Sequence, residues 1–206
     1  MSEPGTGGAG GGFSSMPLDD LLEAFSSADP APGGGGAAVI AVALSASLCA
    51  MAARLSARHM PGAQEIITVA LSLRDGLAPL CEQDAEAYSR VIAAHRLPGG
   101  PDPDERRRRV VEALSHANAV PLATMKAAAA LAPLAARLAE EGNPNLRGDA
   151  VVAAVLAGAG AEACAALVRT NLVDLPQDDR HVEVRSLLKE TLVSVERARR
   201  AGEAGS

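Results

Sequence analysis

The sequence predicts an all-α protein: a single-domain bundle of about six helices, some of them long and kinked, around an Ala-rich core. Hydrophobic residues make up 48% of the 206 residues, yet aromatic residues make up only 1%. Alanine, leucine and valine must therefore fill the core. Alanine is the best helix former, and its small side chain lets helices approach closely. No segment shows the two-residue alternation that is typical of strands.

Apolar residues recur at spacings of three and four, which is the helical pattern, and proline–glycine segments separate the helices. The helices are predicted at 17–27, 36–58, 63–95, 103–140, 149–170 and 179–200. A loop is predicted at 97–101. Proline removes one backbone hydrogen bond from a helix, so a kink is expected at Pro79, and kinks or breaks at Pro121 and Pro133.

The helices predicted at 36–58 and 149–170 are apolar on nearly all faces. Such a helix must be covered on every side. A domain of about six helices can bury about one of them completely. The second is easier to cover across a subunit interface, so a homodimer is predicted.

The first 15 residues are rich in glycine and serine and lack the basic-then-apolar pattern of a signal peptide. We expect a disordered tail at 1–15 and one helical domain at 16–202. The longest apolar run, 37–53, is short for a membrane span, which needs roughly 20 residues. The protein is therefore expected to be cytoplasmic, with no membrane partner.

Charge and composition exclude several function classes. The net charge is −6 and the one basic run, 106–109, is expected to be a solvated helix face. One Tyr, two Phe and no Trp leave no platform for stacking bases, so no nucleic-acid partner is expected. The three cysteines are odd in number and far apart, which favours buried free thiols in a reducing compartment. No Cys/His spacing predicts a metal site.

Two polar entrances to apolar helices suggest a ligand-binding site. The first is a glycine turn at 30–36, which carries four consecutive glycines before the helix at 36–58. The second, which we call the elbow, is residues 142–149. It reads Gly142-Asn143-Pro144-Asn145-Leu146-Arg147-Gly148-Asp149. Helix starts collect free backbone N–H groups, which bind anions such as carboxylates.

Asp84 is the sharpest single candidate for catalysis. It lies on the apolar stripe of its helix, between Leu80 and Tyr88, so its carboxylate is expected to point inward. Burial disfavours the charged form and should raise the pKa of this carboxyl, as a general acid or base requires. The alternative is a structural Asp that caps a neighbouring helix or pairs with Arg54.

Four segments, in this order, resemble the family of formiminotetrahydrofolate cyclodeaminases and methenyltetrahydrofolate cyclohydrolases over about residues 17–200. They are Pro32-Gly33-Gly34-Gly35, Asp84-Ala85-Glu86-Ala87-Tyr88, the elbow, and Asn171-Leu172. The resemblance implies a homodimeric enzyme that needs no metal and no cofactor beyond its tetrahydrofolate-type substrate. It assigns catalysis to Asp84 and Asp149. Substrate binding is assigned to Gly33, Gly34, Gly35, Tyr88, Asn143, Asn145 and Asn171.

Several of these residues also have purely structural explanations. Asp149 begins a predicted helix and suits an N-cap. Asn143 and Asn145 are ordinary turn formers, and four glycines can simply make a tight turn. Asn171 suits the C-terminal end of a helix. Arg54, Arg58 and His59 suit the C-terminal end of another.

The function expected from the resemblance is hydrolysis of 5,10-methenyltetrahydrofolate to 10-formyltetrahydrofolate. Cyclodeaminase activity, with release of ammonia, is the alternative. Gly36 and Gly148 stand where family members commonly have serine, and the usual lysines after the second helix are replaced by residues 58–62. These departures leave open a homologue repurposed for another amidine- or iminium-type molecule. A third reading is a non-catalytic folate binder or scaffold.

Overall fold

A computed structural model describes residues 12–58, 60–97 and 103–204, and over these ranges the chain is helical with no strand. A 3₁₀ turn at Phe13–Ser15 comes first, and another at Pro144–Leu146 lies within the elbow. The α-helices are α1 (Leu18–Ser26), α2 (Gly34–Ser56), α3 (Ala63–Leu77), α4 (Leu80–His95), α5 (Pro103–Ala117), α6 (Ala119–Glu141), α7 (Arg147–Asn171) and α8 (Arg180–Glu203).

The all-α prediction is confirmed, and two of the long predicted helices are each divided into two. The first division is at Pro79, between α3 and α4, as the missing backbone N–H suggested. The second is at Asn118, between α5 and α6. Pro121 lies in the first turn of α6, where a proline loses no helical hydrogen bond. Pro133 does not break α6, which continues to Glu141.

Helix α7 is the centre of the bundle and packs against α2, α6 and α8. Two glycines allow this close approach. A Cβ at Gly160 would overlap the side chain of Val42 on α2, and a Cβ at Gly158 would press on Val195 of α8. The core around α7 consists largely of fully buried alanines, as the composition predicted.

Two of the remaining helices pack against α2. Helix α3 packs along α2, while α4 packs against both α2 and α5. Gly62 precedes α3 with a φ of 83°, a left-handed conformation that favours glycine. A second apolar cluster, which includes Leu122, Met125 and Val168, lies towards the C-terminal part of α7.

The three cysteines are free and buried, as predicted. Burial raises the pKa of Cys49 and of Cys164 to about 12, so neither is a reactive thiolate. Of the predicted tail, residues 1–11 lie outside the described residues, and Phe13 packs against the core. His59 and positions 98–101 of the predicted loop also lie outside them.

By length and composition, three described segments could cross a membrane: Gly34–Ser56, Asp104–Glu141 and Pro144–Asn171. Helix α2 extends the apolar run to 23 residues, so the prediction that this run is too short for a span is wrong. Within the bundle, the most apolar stretch of 18 residues in each segment is buried to 56%, 56% and 50%, respectively.

Candidate functional site

A cavity of about 330 Å³ lies where α2 begins and α7 ends. Its walls come from the glycine turn, α4, the end of α5, the start of α6 and the end of α7. This volume is within the range of small-molecule sites, roughly 300–1,000 Å³. Six of the predicted site residues line this Asp84 cavity: Gly33, Gly34, Gly35, Asp84, Tyr88 and Asn171.

Asp84 lies above the N-terminus of α2. Its Oδ2 accepts a hydrogen bond of 3.2 Å from the backbone N–H of Gly36. Gly33, the N-cap of α2, has no side chain with which to cap the helix, so a carboxylate from α4 takes part of that role. The structural alternative that Asp84 caps a neighbouring helix is therefore confirmed. The alternative that Asp84 pairs with Arg54 is wrong, because Arg54 lies at the opposite end of α2.

Capping does not make Asp84 an ordinary surface carboxylate. Burial raises the pKa of its carboxyl above the usual value, and the Gly36 hydrogen bond opposes this only in part. A carboxyl with a raised pKa, facing a cavity, can accept and return a proton. Asp84 therefore retains the properties of a general acid or base while it caps α2.

Gly35 permits this arrangement. A Cβ at position 35 would overlap both carboxylate oxygens of Asp84, whereas a Cβ at Gly34 would meet only Leu167 Cδ2, at 3.9 Å. Adjacent glycines thus differ in role. Gly35 gives the carboxylate room to reach the helix start, and Gly34 is exposed at the cavity wall.

Asn171 ends α7, and its side chain turns towards Asn118 rather than capping its own helix. Its Nδ2 donates to Asn118 Oδ1 at 3.2 Å. Asn118, which is fully buried at the junction of α5 and α6, is not among the residues predicted from the sequence. A polar Asn three residues before Pro121, inside a predicted long helix, was the available signal of this junction. Tyr88 is half exposed at the rim of the cavity.

The elbow lies elsewhere. The backbone N–H of Asn143 donates to Ser56 Oγ at 2.8 Å, and its Nδ2 donates to Leu55 O at 3.3 Å. Its Oδ1 accepts from the backbone N–H of Asn145 at 3.1 Å, which is a typical Asx turn. These contacts tie the elbow to the C-terminal end of α2.

Asp149 lies in the first turn of α7, whose first residue is Arg147. The N-cap explanation for Asp149 is therefore wrong, because Leu146 holds that position. From Gly34 to Leu55 the rise along α2 is about 31 Å. Within one chain, then, the structure does not bring Asp149, Asn143 and Asn145 together with Asp84.

Metal binding has no support in the described ranges, where no three or more His, Cys, Asp or Glu side chains gather as a metal site would need. The polar groups at the cavity are a carboxylate, an amide, a phenol, the hydroxyl of Thr170 and the start of a helix. They suit hydrogen bonding and proton transfer to a small molecule.

Comparison with known proteins identifies the family. The family model described as formiminotransferase-cyclodeaminase matches residues 17–190. The chain belongs to this family. The resemblance read from the four sequence segments is therefore confirmed, and so is the kind of enzyme that it implied.

Two relatives illustrate the range of the family. A methenyltetrahydrofolate cyclohydrolase of Methylorubrum extorquens is 32% identical over 185 residues, which cover 84% of this chain and 89% of that protein. A formimidoyltransferase-cyclodeaminase of Sus scrofa is 30% identical over 184 residues, which cover 85% of this chain. The matched region is only 34% of the length of the pig protein.

The fold is shared with a solved member of the family. The crystal structure of formiminotetrahydrofolate cyclodeaminase from Thermotoga maritima superposes with a TM-score of 0.78 at 24% identity. The match covers 92% of this chain and 96% of that one. At this identity the likeness supports the fold.

Proposed function

We propose that this chain is a one-carbon enzyme that hydrolyses 5,10-methenyltetrahydrofolate to 10-formyltetrahydrofolate. The observation that carries the proposal is the Asp84 carboxyl, whose pKa is raised by burial, at a cavity of small-molecule size. The name of the Methylorubrum relative supports the substrate, and that protein is matched over nearly its whole length. Most of the pig protein, by contrast, has no counterpart in the matched region.

This hydrolysis requires few catalytic groups from the protein. The bridging carbon of the substrate is already electrophilic because it belongs to a cationic amidinium. Asp84, as carboxylate, takes a proton from water while the water oxygen bonds to that carbon. The neutral carboxyl then returns the proton to N5 as the bond between N5 and the carbon breaks. The hydroxyl group of the intermediate loses its own proton to solvent as its C–O bond becomes a carbonyl, and the resulting formyl group stays on N10. One or two positioned carboxylates are enough for these steps, and no cofactor besides the substrate is proposed.

The cyclodeaminase reaction is the second candidate, and the name of the pig relative favours it. There N10 of 5-formiminotetrahydrofolate attacks the formimino carbon and ammonia leaves. The same carboxyl would move the protons.

Two assays on the purified protein separate these candidates. Loss of methenyltetrahydrofolate absorbance above the uncatalysed rate is expected, with no ammonia from 5-formiminotetrahydrofolate. Ammonia release would instead favour the cyclodeaminase. If the protein binds folate but catalyses neither reaction, a folate-binding scaffold is favoured. If it neither binds folate nor catalyses either reaction, a repurposed homologue is favoured. Activity in the presence of a metal chelator is also expected.

The active form is proposed to be a homodimer. The outer face of α2 carries an apolar stripe at spacings of three and four: Leu44, Leu48, Met51 and Leu55. Leu44 is 51% exposed and Leu55 is 55% exposed. Leucines so spaced along a helix form the kind of seam that a second helix covers. Light scattering is expected to give twice the chain mass, and a stable monomer at micromolar concentration would contradict this.

A dimer through this stripe would also account for the two separated groups of site residues. The Asp84 cavity lies at one end of α2 and the elbow at the other end. A two-fold axis that sets α2 antiparallel to its copy would bring the elbow of one subunit towards the cavity of the other. Asp149 would then act in the site of the neighbouring subunit.

We place the protein in the cytoplasm, with no nucleic-acid or membrane partner. The proposal is supported by the three free thiols and by the net charge of −6. The three long apolar segments pack against one another within the bundle, and subunit pairing would cover more of their surface.

A further inference from the structure

Asn118 is a buried amide whose orientation is fixed by its neighbours. Its Nδ2 donates to Leu114 O at 3.1 Å and to Ser115 O at 3.4 Å, two carbonyls at the end of α5. Carbonyl oxygens only accept hydrogen bonds, so the amide nitrogen must face them. The Oδ1 atom of Asn118 must therefore face the other way, towards Asn171.

This orientation determines that of Asn171. Because Asn118 presents an acceptor, Asn171 turns its Nδ2 towards it, at 3.2 Å. In the part of the chain that the structure describes, Oδ1 of Asn171 accepts no hydrogen bond, and the residue lines the Asp84 cavity. An asparagine with no such neighbour can present either end of its amide to a ligand. The contact with Asn118 fixes the orientation of Asn171, so its Oδ1 is the free acceptor, while its Nδ2 keeps one N–H besides the one given to Asn118.

The end of α5 that Asn118 contacts is itself fixed. Arg180 Nη1 donates to Ser115 O at 2.7 Å, and its Nη2 donates to Ser115 Oγ at 2.7 Å. Asp178 in turn binds the guanidinium of Arg180 with both carboxylate oxygens, at 2.8 and 2.7 Å. These contacts limit rearrangement of the carbonyls that orient Asn118.

We infer that Asn118 is a positioning residue that makes the cavity selective for a ligand with an N–H donor edge. The inference rests on the proposed function, in which that edge belongs to the 2-amino-4-oxopyrimidine ring of the folate. Asn171 Oδ1 accepts from this edge. The Asp84 carboxylate is a second acceptor in the same cavity, so an edge that carries only acceptors leaves both of these oxygens without a donor.

The test compares two ligands: tetrahydrofolate and its analogue with hydrogen in place of the 2-amino group. Dissociation constants are measured for the wild type, Asn171→Ala and Asn118→Ala. The wild type is expected to prefer the amino ligand by about tenfold or more, as expected when a buried acceptor loses its donor. In Asn171→Ala the preference should fall towards one, because the 2-amino ligand weakens and the analogue does not.

Asn118→Ala should also reduce the preference, since Asn171 is then free to reverse its amide. Thr191→Val is the matched control. Thr191 is fully buried on α8 and its hydroxyl donates to Leu187 O, away from the cavity. It should leave the preference unchanged. Asn171→Ala keeps the experiment decisive if Asn118→Ala fails to fold, because Asn171 is only partly buried.

Two results would overturn the inference. If the Asn171 and Asn118 variants weaken both ligands by the same factor, these residues have only a structural role. If the wild type does not discriminate between the ligands, the acceptor does not contact the 2-amino group. A wild type that binds neither ligand would refute the folate proposal itself, and the inference with it.

Discussion

The two ends of α2 carry polar clusters of similar composition. They differ in how many of their side-chain hydrogen bonds are made within the protein. At the elbow, the Asn143 side chain is committed on both sides, to Leu55 O and to the backbone N–H of Asn145. At the cavity, Asp84 is partly buried with a raised pKa, and Asn171 keeps one amide oxygen unused by the described residues. Within one chain, a carboxyl with a raised pKa that faces a cavity marks this end of α2 as the candidate reactive end.

The largest effect should come from Asp84→Asn, which keeps the acceptor for Gly36 but cannot transfer a proton. Turnover should fall by roughly 10²–10⁴-fold, the usual contribution of a general acid or base. Because burial raises the pKa of Asp84, the folded protein favours the protonated carboxyl. The stability that depends on this proton is lost as pH rises through the folded pKa. The variant should therefore melt no lower than the wild type at pH 7. A variant within tenfold of wild-type turnover would exclude Asp84 as the catalyst.

Asp149→Asn tests whether the elbow belongs to the catalytic site at all. We expect turnover to fall by about 100-fold, which is at the low end of the contribution of a general acid or base, and the fold to stay intact. Mixing this variant with Asp84→Asn, under conditions that exchange subunits, is the decisive measurement.

If each site takes Asp84 from one subunit and Asp149 from the other, half of the mixed dimers' sites are intact. Random mixing should then restore about a quarter of wild-type activity. Each variant mixed with wild type is the control. No recovery, although subunits exchange, would mean that the two carboxylates act within one chain or that Asp149 has no catalytic part.

How far the sequence predicts this site can be judged from particular residues. The three- and four-residue spacing around Asp84 correctly indicated an inward carboxylate. The spacing cannot reveal its partner, the N–H of Gly36, which lies 48 residues away in the chain. The pair of Asn118 and Asn171, 53 residues apart, is equally invisible to local patterns.

The elbow shows a different limit of sequence reasoning. Two polar entrances, each at the start of an apolar helix, suggested one site. Yet the elbow, which begins α7, contacts the C-terminal end of α2, so the two helices run antiparallel and their N-termini lie far apart. Composition identifies a helix start, but only packing determines which ends of two helices meet.

Gly35→Ala and Gly34→Ala form a matched pair within the glycine turn. The new Cβ at position 35 overlaps the Asp84 carboxylate, whereas at position 34 it has room. Displacement of the carboxylate should lower kcat by tenfold or more, since about 1 Å of misplacement can cost up to 100-fold. Gly34→Ala should keep kcat within about twofold. Equal effects of both variants on KM alone would instead favour a ligand anion bound by the turn.

The smallest effect is expected from Asp178→Asn, which loosens the support behind the cavity. The hydrogen bonds from Arg180 lower the pKa of Asp178 from 3.8 to about 2. The stability that this pair contributes is present above pH 3.8 and is lost as pH falls towards 2. The melting temperature of the wild type should therefore exceed that of the variant by a few degrees at pH 7, and the difference should close between these two pH values.

Asp75→Asn, which breaks a more exposed pair with Arg74, should change the melting temperature less. A difference that persists unchanged at pH 2 would show that the Asp178 charge is not what holds the end of α5.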